Sequence, residues 1–327
     1  MATEGSHRRA VQMLVFCTLL WALSFPVMKA LVLTQQSLLP SAGSWFFSSL
    51  SVVYRFGLAG IILLLFTFRQ MLSVRRLELE QGMVLSVFGG FGILFQMDGL
   101  AYTSASTSAF LTQGYCLFIP LWVALVNRRW PTLKIFLSIA LVLAGVGVLA
   151  EISMHSIKLG RGEIETLIAS LLFTGQILSL EHPRYAGNRP MCLTVVMLLG
   201  TALVALPLVT VTAPTAAACL QAYASPSAVA FLAMIIGFCT LAAFIIMNTW
   251  QRRVTATEAG LIYCAEPVFA SFMALFLPGI FSLWAGISYS NEHLTTRLLI
   301  GGGLITLANV LLQSKWLERK PLETRER

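Results

Sequence analysis

Apolar residues run through the chain in long stretches separated by short polar connections. Ile61–Phe66 lies inside Gly57–Phe68, and Ile135–Ala150 and Ala228–Met247 continue with no charged residue. A helix needs about 20 mostly apolar residues to cross a bilayer, and several runs reach that length. The pattern predicts ten spans, at about 11–34, 44–68, 82–101, 104–126, 132–150, 162–180, 190–212, 227–249, 256–277 and 296–314. The expected fold class is therefore an all-α integral membrane protein. Val11–Thr34 is too long for a signal-peptide core and is expected to stay as the first span.

Composition agrees with this and removes other classes. Of 327 residues, 57% are hydrophobic and 11% charged, against about 25% charged in a soluble domain. The mean hydropathy is +0.81. A formal charge of +8 would suit a nucleic-acid binder only if concentrated on one folded face, so no nucleic-acid partner is expected. Instead, 17 of the 22 Lys and Arg residues fall on the two termini and on alternate connections, with three on the other side and Lys29 and Arg55 inside spans. Cationic loops stay cytoplasmic, which predicts both termini inside an inner, multi-pass cell membrane. Trp45, Trp130, Trp250 and Trp316 fall at span ends, as an interfacial belt requires. Six cysteines show no CxxC, and His7, His155, His182 and His293 lie outside the spans. Neither a metal site nor an acid–base pair can be assembled, no phosphate-binding glycine loop is present, and neither a cofactor nor an enzyme is expected.

The chain also repeats itself. Thr103–Leu125 aligns without a gap on Val254–Phe276 at an offset of 151, matching Ala105 with Ala256 and Phe118 with Phe269. Five spans per half force the second half to run opposite to the first. Such inverted repeats are a plan of secondary transporters, with the substrate near the bilayer midplane. The expected divisions are a tail 1–10, a first repeat 11–150, a second repeat 162–314 and a basic tail 315–327.

The runs YTSASTSAFLTQGYCLFIPLWVALVNRRWP (102–131), LGRGEIETLIASLLFTGQILSLEH (159–182) and QRRVTATEAGLIYCAEPVFASFMALF (251–276) resemble the drug/metabolite transporter superfamily, in its EamA-type branch. The resemblance spans Val11–Leu312 and implies ten helices in two repeats, with Glu266-Pro267-Val268-Phe269 as its best element. Tyr115-Cys116 stands where the second half has Glu266-Pro267, a departure from the pattern, and the connection Pro278–Thr295 is longer than the pattern and has no assigned role. An arginine placed like Arg55 is common in the family across dissimilar substrates, which implies a structural role.

Charges inside spans are costly and mark candidate sites. Glu266 lies about 15 Å into span nine, on one helical face with Ala259, Tyr263 and Ala270. The repeat places Ser108, Thr112 and Tyr115 on the equivalent face of span four. Two readings of Glu266 stand, a substrate or proton group and a structural carboxyl; two also stand for Arg55, a receptor for a substrate anion and a helix contact. Trp21, Ser24, Gln96, Gln113 and Gln176 complete the candidate pocket, each Gln having an interhelical hydrogen bond as its alternative. Lys29 is expected to snorkel, while Asp98, Glu163, Glu165 and Glu258 are expected to cap helix ends. Pro267 and Pro120 are each expected to remove a backbone hydrogen bond, freeing the carbonyls of Tyr263 and Cys116. The expected function is a secondary-active exporter of small metabolites such as amino acids or amphipathic drugs, coupled to protons or to another gradient. The alternatives are exchange of phosphorylated or nucleotide-linked sugars, which would want more cations than Arg55, and a non-transporting sensor or assembly subunit.

Overall fold

Inside a bilayer no water is available to bond backbone groups, so an open chain can cross only as helix. The computed structural model describes residues 4–126, 128, 133–149, 159–254, 259 and 262–313, and every regular element among them is helical. The first half contains α1 (Glu4–Leu38), α2 (Ser44–Met71), α3 (Arg76–Tyr102), α4 (Ala105–Thr112), α5 (Tyr115–Val126) and α6 (Leu133–Leu149). The second contains α7 (Arg161–Glu181), α8 (Pro190–Thr212), the short α9 (Ala218–Gln221), α10 (Pro226–Met234), a π-helical segment Ile235–Ala242 and α11 (Ala243–Trp250). It closes with α12 (Glu266–Ala274), α13 (Leu277–Ala285) and α14 (Thr296–Gln313).

Seven of these helices, taking α4 with α5 and α10 with α11, are long and apolar enough to cross a membrane. The pair α12 and α13, bent by 50°, makes an eighth if it is one span, and Ile135–Leu149 and Thr296–Leu311 are shorter apolar helices. The sequence reading of Pro278–Thr295 as a plain connection is corrected, because α13 occupies its first part before Gly286 ends the helix in the left-handed region at φ 66°. Spans four and nine are also interrupted. Helix α5 runs straight through Pro120, and the break falls at Gln113–Gly114, with its counterpart at Cys264–Ala265 just before Pro267. Trp130, Trp316, Glu258 and the aligned stretch 255–258 lie outside the described residues.

Packing divides the helices into two groups. Helix α1 packs on α10, α11 and α12, while α7 packs on α3, α4 and α5. Helices α2 and α8 lie along each other and join the groups, and α14 lies along α6 at the side. One end of the molecule gathers cationic connections: Arg189 donates to Glu78 at 2.7 and 2.8 Å, Arg184 to Glu80 at 2.8 Å, Arg252 to the Asn188 carbonyl at 2.7 Å and Arg253 to Ser6 at 3.3 Å. The Glu78 bond also raises the Arg189 pKa above its ordinary value. We call this the basic end. At the opposite end, Asp98 is fully buried, pairs with Arg161 and accepts from Ser48 at 3.4 Å, while Glu165 takes Arg161 Nε at 2.7 Å. Asp98 and Glu165 are therefore tied to Arg161 and are not free caps.

Small residues let these helices approach. A Cβ on Gly301 would stand 2.7 Å from Leu149 and 2.9 Å from the Gly145 carbonyl, whereas one on Gly303 meets nothing within 4 Å. The glycine triplet of α14 thus serves contact with α6 at its first position and faces open space at its third. Gly301→Ala should lower the thermal midpoint of the purified protein, at a cost of about 1–3 kcal/mol from overpacking. Gly303→Ala should leave it unchanged, and equal effects of the two would contradict the packing.

Candidate functional site

A cavity lies between the two helix groups, with about 690 Å³ of space counted together with its opening. From the α1 group come Trp21 and Ser24 of α1, Phe244 and Met247 of α11, and Tyr263 and Glu266 around the second break. From the α7 group come Gln96 of α3, Thr112 and Tyr115 around the first break, and Gln176 of α7; α2 adds Arg55. Nine of the ten candidates read from the sequence line this one space, and the tenth, Gln113, lies directly behind Glu266.

The breaks explain this convergence. Both are single turns closed by short-range bonds, from Gly114 N to Leu111 O at 3.0 Å and from Ala265 N to Ile262 O at 3.1 Å. Each turn aims a polar side chain out of its helix. Gln113 Nε2 donates to Glu266 Oε2 at 3.1 Å, joining the first broken helix to the second, and Cys116 Sγ donates to Gln113 Oε1 at 3.8 Å. Glu266 is buried and makes no ion pair among the described residues. Gly114 packs closely at its turn: a Cβ there would lie 2.8 Å from Ser170 Oγ on α7 and 3.2 Å from the Leu111 carbonyl.

Arg55 sits on the other side of the space, 2% exposed. Its Nε donates to Thr240 Oγ1 at 2.6 Å, one terminal nitrogen to the Cys239 carbonyl at 3.1 Å and the other to the Met28 sulfur at 3.1 Å. Thr240 in turn donates to Ile235 O at 2.9 Å, so the guanidinium reads a stretch of π-helix where backbone carbonyls are displaced from regular pairing. These partners are all neutral. The helix contact expected as one reading of Arg55 is present, and a guanidinium's five donors leave further N–H groups beyond these three bonds.

Uncharged groups of the lining are also hydrogen-bonded. Gln96 Nε2 donates to Thr112 Oγ1 at 3.0 Å, Tyr263 OH to Gln251 Oε1 at 2.8 Å and Ser24 Oγ to Trp21 O at 2.6 Å. Gln176 meets Met197 Sδ at 3.8 Å. Trp21 stands 5.4 Å from Tyr263 and 5.9 Å from Phe244, centroid to centroid, and forms an aromatic wall. Sequence reasoning missed the apolar walls Ile93, Phe173 and Phe244, because at helical spacing a pocket wall and a core residue look alike. Lys29, expected to snorkel, instead donates to the Thr103 carbonyl.

Residues 8–150 match the EamA-like transporter family. The EamA-like stretch covers α1 to α6, and together with the apolar helices it supports a multi-pass membrane transporter of the drug/metabolite type. A solved structure described as "Crystal structure of protein" is similar in fold over 93% of this chain and 96% of its own, with a TM-score of 0.58 and 16% identity. No curated protein matches the sequence.

If the three-way tie of Arg55 holds α2 to the π-helical segment, Arg55→Lys should lower the thermal midpoint nearly as much as Arg55→Met, since an ammonium cannot span all three acceptors. Losing two charge-assisted bonds corresponds to about 1.5–3 kcal/mol each before relaxation. A wild-type midpoint for Arg55→Lys would show that the tie carries no stability.

Proposed function

We propose that the protein is a secondary-active transporter that exports small metabolites, with amino acids as the leading class, through alternating access of the central cavity. The reading takes the chain as ten spans in two inverted halves, with the basic end cytoplasmic and the membrane an inner cell membrane. The observation that carries it is the placing of Arg55 of α2 and Glu266, beside the second break, on one cavity. A cation and an acid with aromatic walls between them suit a small molecule bearing both charges and an apolar body.

The inverted repeat is supported by correspondences that chance among apolar helices does not produce. The breaks at Gln113–Gly114 and Cys264–Ala265 differ by the offset of 151 found in the sequence alignment, and so do the bonds that close them. Exchanging the halves turns the packing of α1 with α10, α11 and α12 into that of α7 with α3, α4 and α5. It returns the pairs α2–α8 and α6–α14 to themselves. The family match also ends at residue 150, between the halves. Two such groups can exchange conformations and expose the cavity to either side.

In this mechanism Glu266 takes either a proton or a cationic substrate group, which makes the two compete and couples export to proton entry. Gln113 holds the carboxyl in place in both states. Arg55 meets the anionic end of the substrate. A sugar phosphate would carry more negative charge than a single cavity arginine neutralises, so the sugar-exchange alternative is disfavoured.

Efflux from proteoliposomes over a panel of amino acids and amphipathic drugs tests this. Saturable flux that follows an imposed pH gradient is expected in the wild type, with the gradient dependence lost in Glu266→Gln. Unchanged flux and pH dependence in that variant would remove Glu266 from the mechanism, and no saturable flux of any compound would favour a sensor or assembly subunit.

A further inference from the structure

The segment between α13 and α14 reaches back across the opposite end of the molecule. Glu292 N donates to the Ala274 carbonyl at 2.9 Å, holding the segment to the end of α12. Its side chain then crosses to the other helix group, where Oε1 accepts from Ala105 N at 2.9 Å and Ser106 N at 3.4 Å. Those are the first two amides of α4, and Ser104 Oγ takes the third helical amide, Thr107 N, at 3.0 Å. Helix α4 thus completes its N-terminus with a carboxylate from 187 residues away. Negative charge is favoured at that end of a helix, and the bonds are charge-assisted.

A second tie crosses beside it. Lys29 of α1 donates to the carbonyl of Thr103, whose hydroxyl donates to Glu163 Oε1 at 2.7 Å, and Lys29 lies close enough to Glu292 for their charges to interact. Both ties join the α1 group to the α7 group over the cavity. The lining stops at Thr112, about 10 Å along α4 from its start at 1.5 Å per residue. Toward the basic end it runs to Met247 and to Leu180, the residue before the last of α7. Among the described residues α1 packs against α3, while α7 has no contact of comparable extent with α11. Among the described residues the opposite end is closed by these two ties, whereas the basic end is crossed by the bond from Arg252 to the Asn188 carbonyl.

We propose that Glu292 is a gate latch: with Lys29 it holds the opposite end shut, and the cavity opens there only when its carboxylate leaves Ala105 and Ser106. This rests on the alternating-access reading above. Glu292 is only half-buried, so water can solvate the released carboxylate and the exposed amides, which makes the latch reversible. The same helix carries Thr112 at its other end, next to Gln113, so release of the latch is felt at the cavity.

Hydrogen exchange of the full-length protein in lipid nanodiscs, followed by mass spectrometry, tests the latch in wild type, Glu292→Ala and Lys29→Met. Both variants should raise exchange about tenfold at 103–113 and 286–295, the scale of a lost helix cap. Both should also lower exchange at 177–189 and 247–254, because opening one end closes the other. A rise confined to Ala105–Thr107, or none, would reduce Glu292 to a local cap and overturn the proposal. If Glu292→Ala loosens every segment, Lys29→Met decides: a reciprocal shift supports the latch and its absence overturns it. The reciprocal shift is read without any substrate, so an absence of flux in proteoliposomes would sink the transport reading and leave the latch standing.

Discussion

The structure depends on two places where a helix gives up its continuity in surroundings that penalise doing so. A broken helix inside a bilayer leaves backbone groups without water, and it persists only where other protein groups or a polar cavity satisfy them. Here the breaks at Gln113–Gly114 and Cys264–Ala265 face each other, and the bond from Gln113 to Glu266 joins them. Glycine at the first break allows α7 to come within van der Waals range, and Pro267 after the second cannot supply the amide that a continuous helix would need. The cavity, its acid and its polar walls all follow from these two turns.

The charges separate into three levels with different work. Arg184, Arg189, Arg252 and Arg253 tie connections together at the basic end, where their partners are carboxylates, a hydroxyl and backbone carbonyls. Asp98, Arg161, Glu165, Lys29 and Glu292 join helices at the opposite end. Arg55 and Glu266 alone among the described Asp, Glu, Lys and Arg residues line the central cavity. A charge in the middle of a bilayer is costly enough that a specific partner is expected, and the partners of these two are neutral protein groups. Among the described residues, neither charge is paired with an opposite one.

Much of this was legible in the chain. Run length and hydrophobic composition led to the helical class, and mid-span charge with the offset of 151 led to Glu266, Tyr263, Thr112 and Tyr115. Physical reasons account for the rest. Proline is the visible helix breaker, so Pro120 drew attention, but the break came at Gln113–Gly114, with Gly114 packed close to Ser170 of α7. The role of Glu292 was invisible because its partners lie 187 residues earlier. Asp98 looked like a cap because sequence places it near a span end and cannot place Arg161 beside it.

The central claim is that one cavity is exposed to the two sides in turn by exchange between the α1 and α7 groups. Its most direct test is double electron–electron resonance in nanodiscs with two pairs of spin labels. One pair, at exposed Arg9 and Leu79, spans the groups at the basic end, and the other, at exposed Gly160 and His293, spans them at the opposite end. On adding a transported compound, the account predicts that one distance lengthens while the other shortens. Distances that change together, or that stay fixed while flux proceeds, would contradict it.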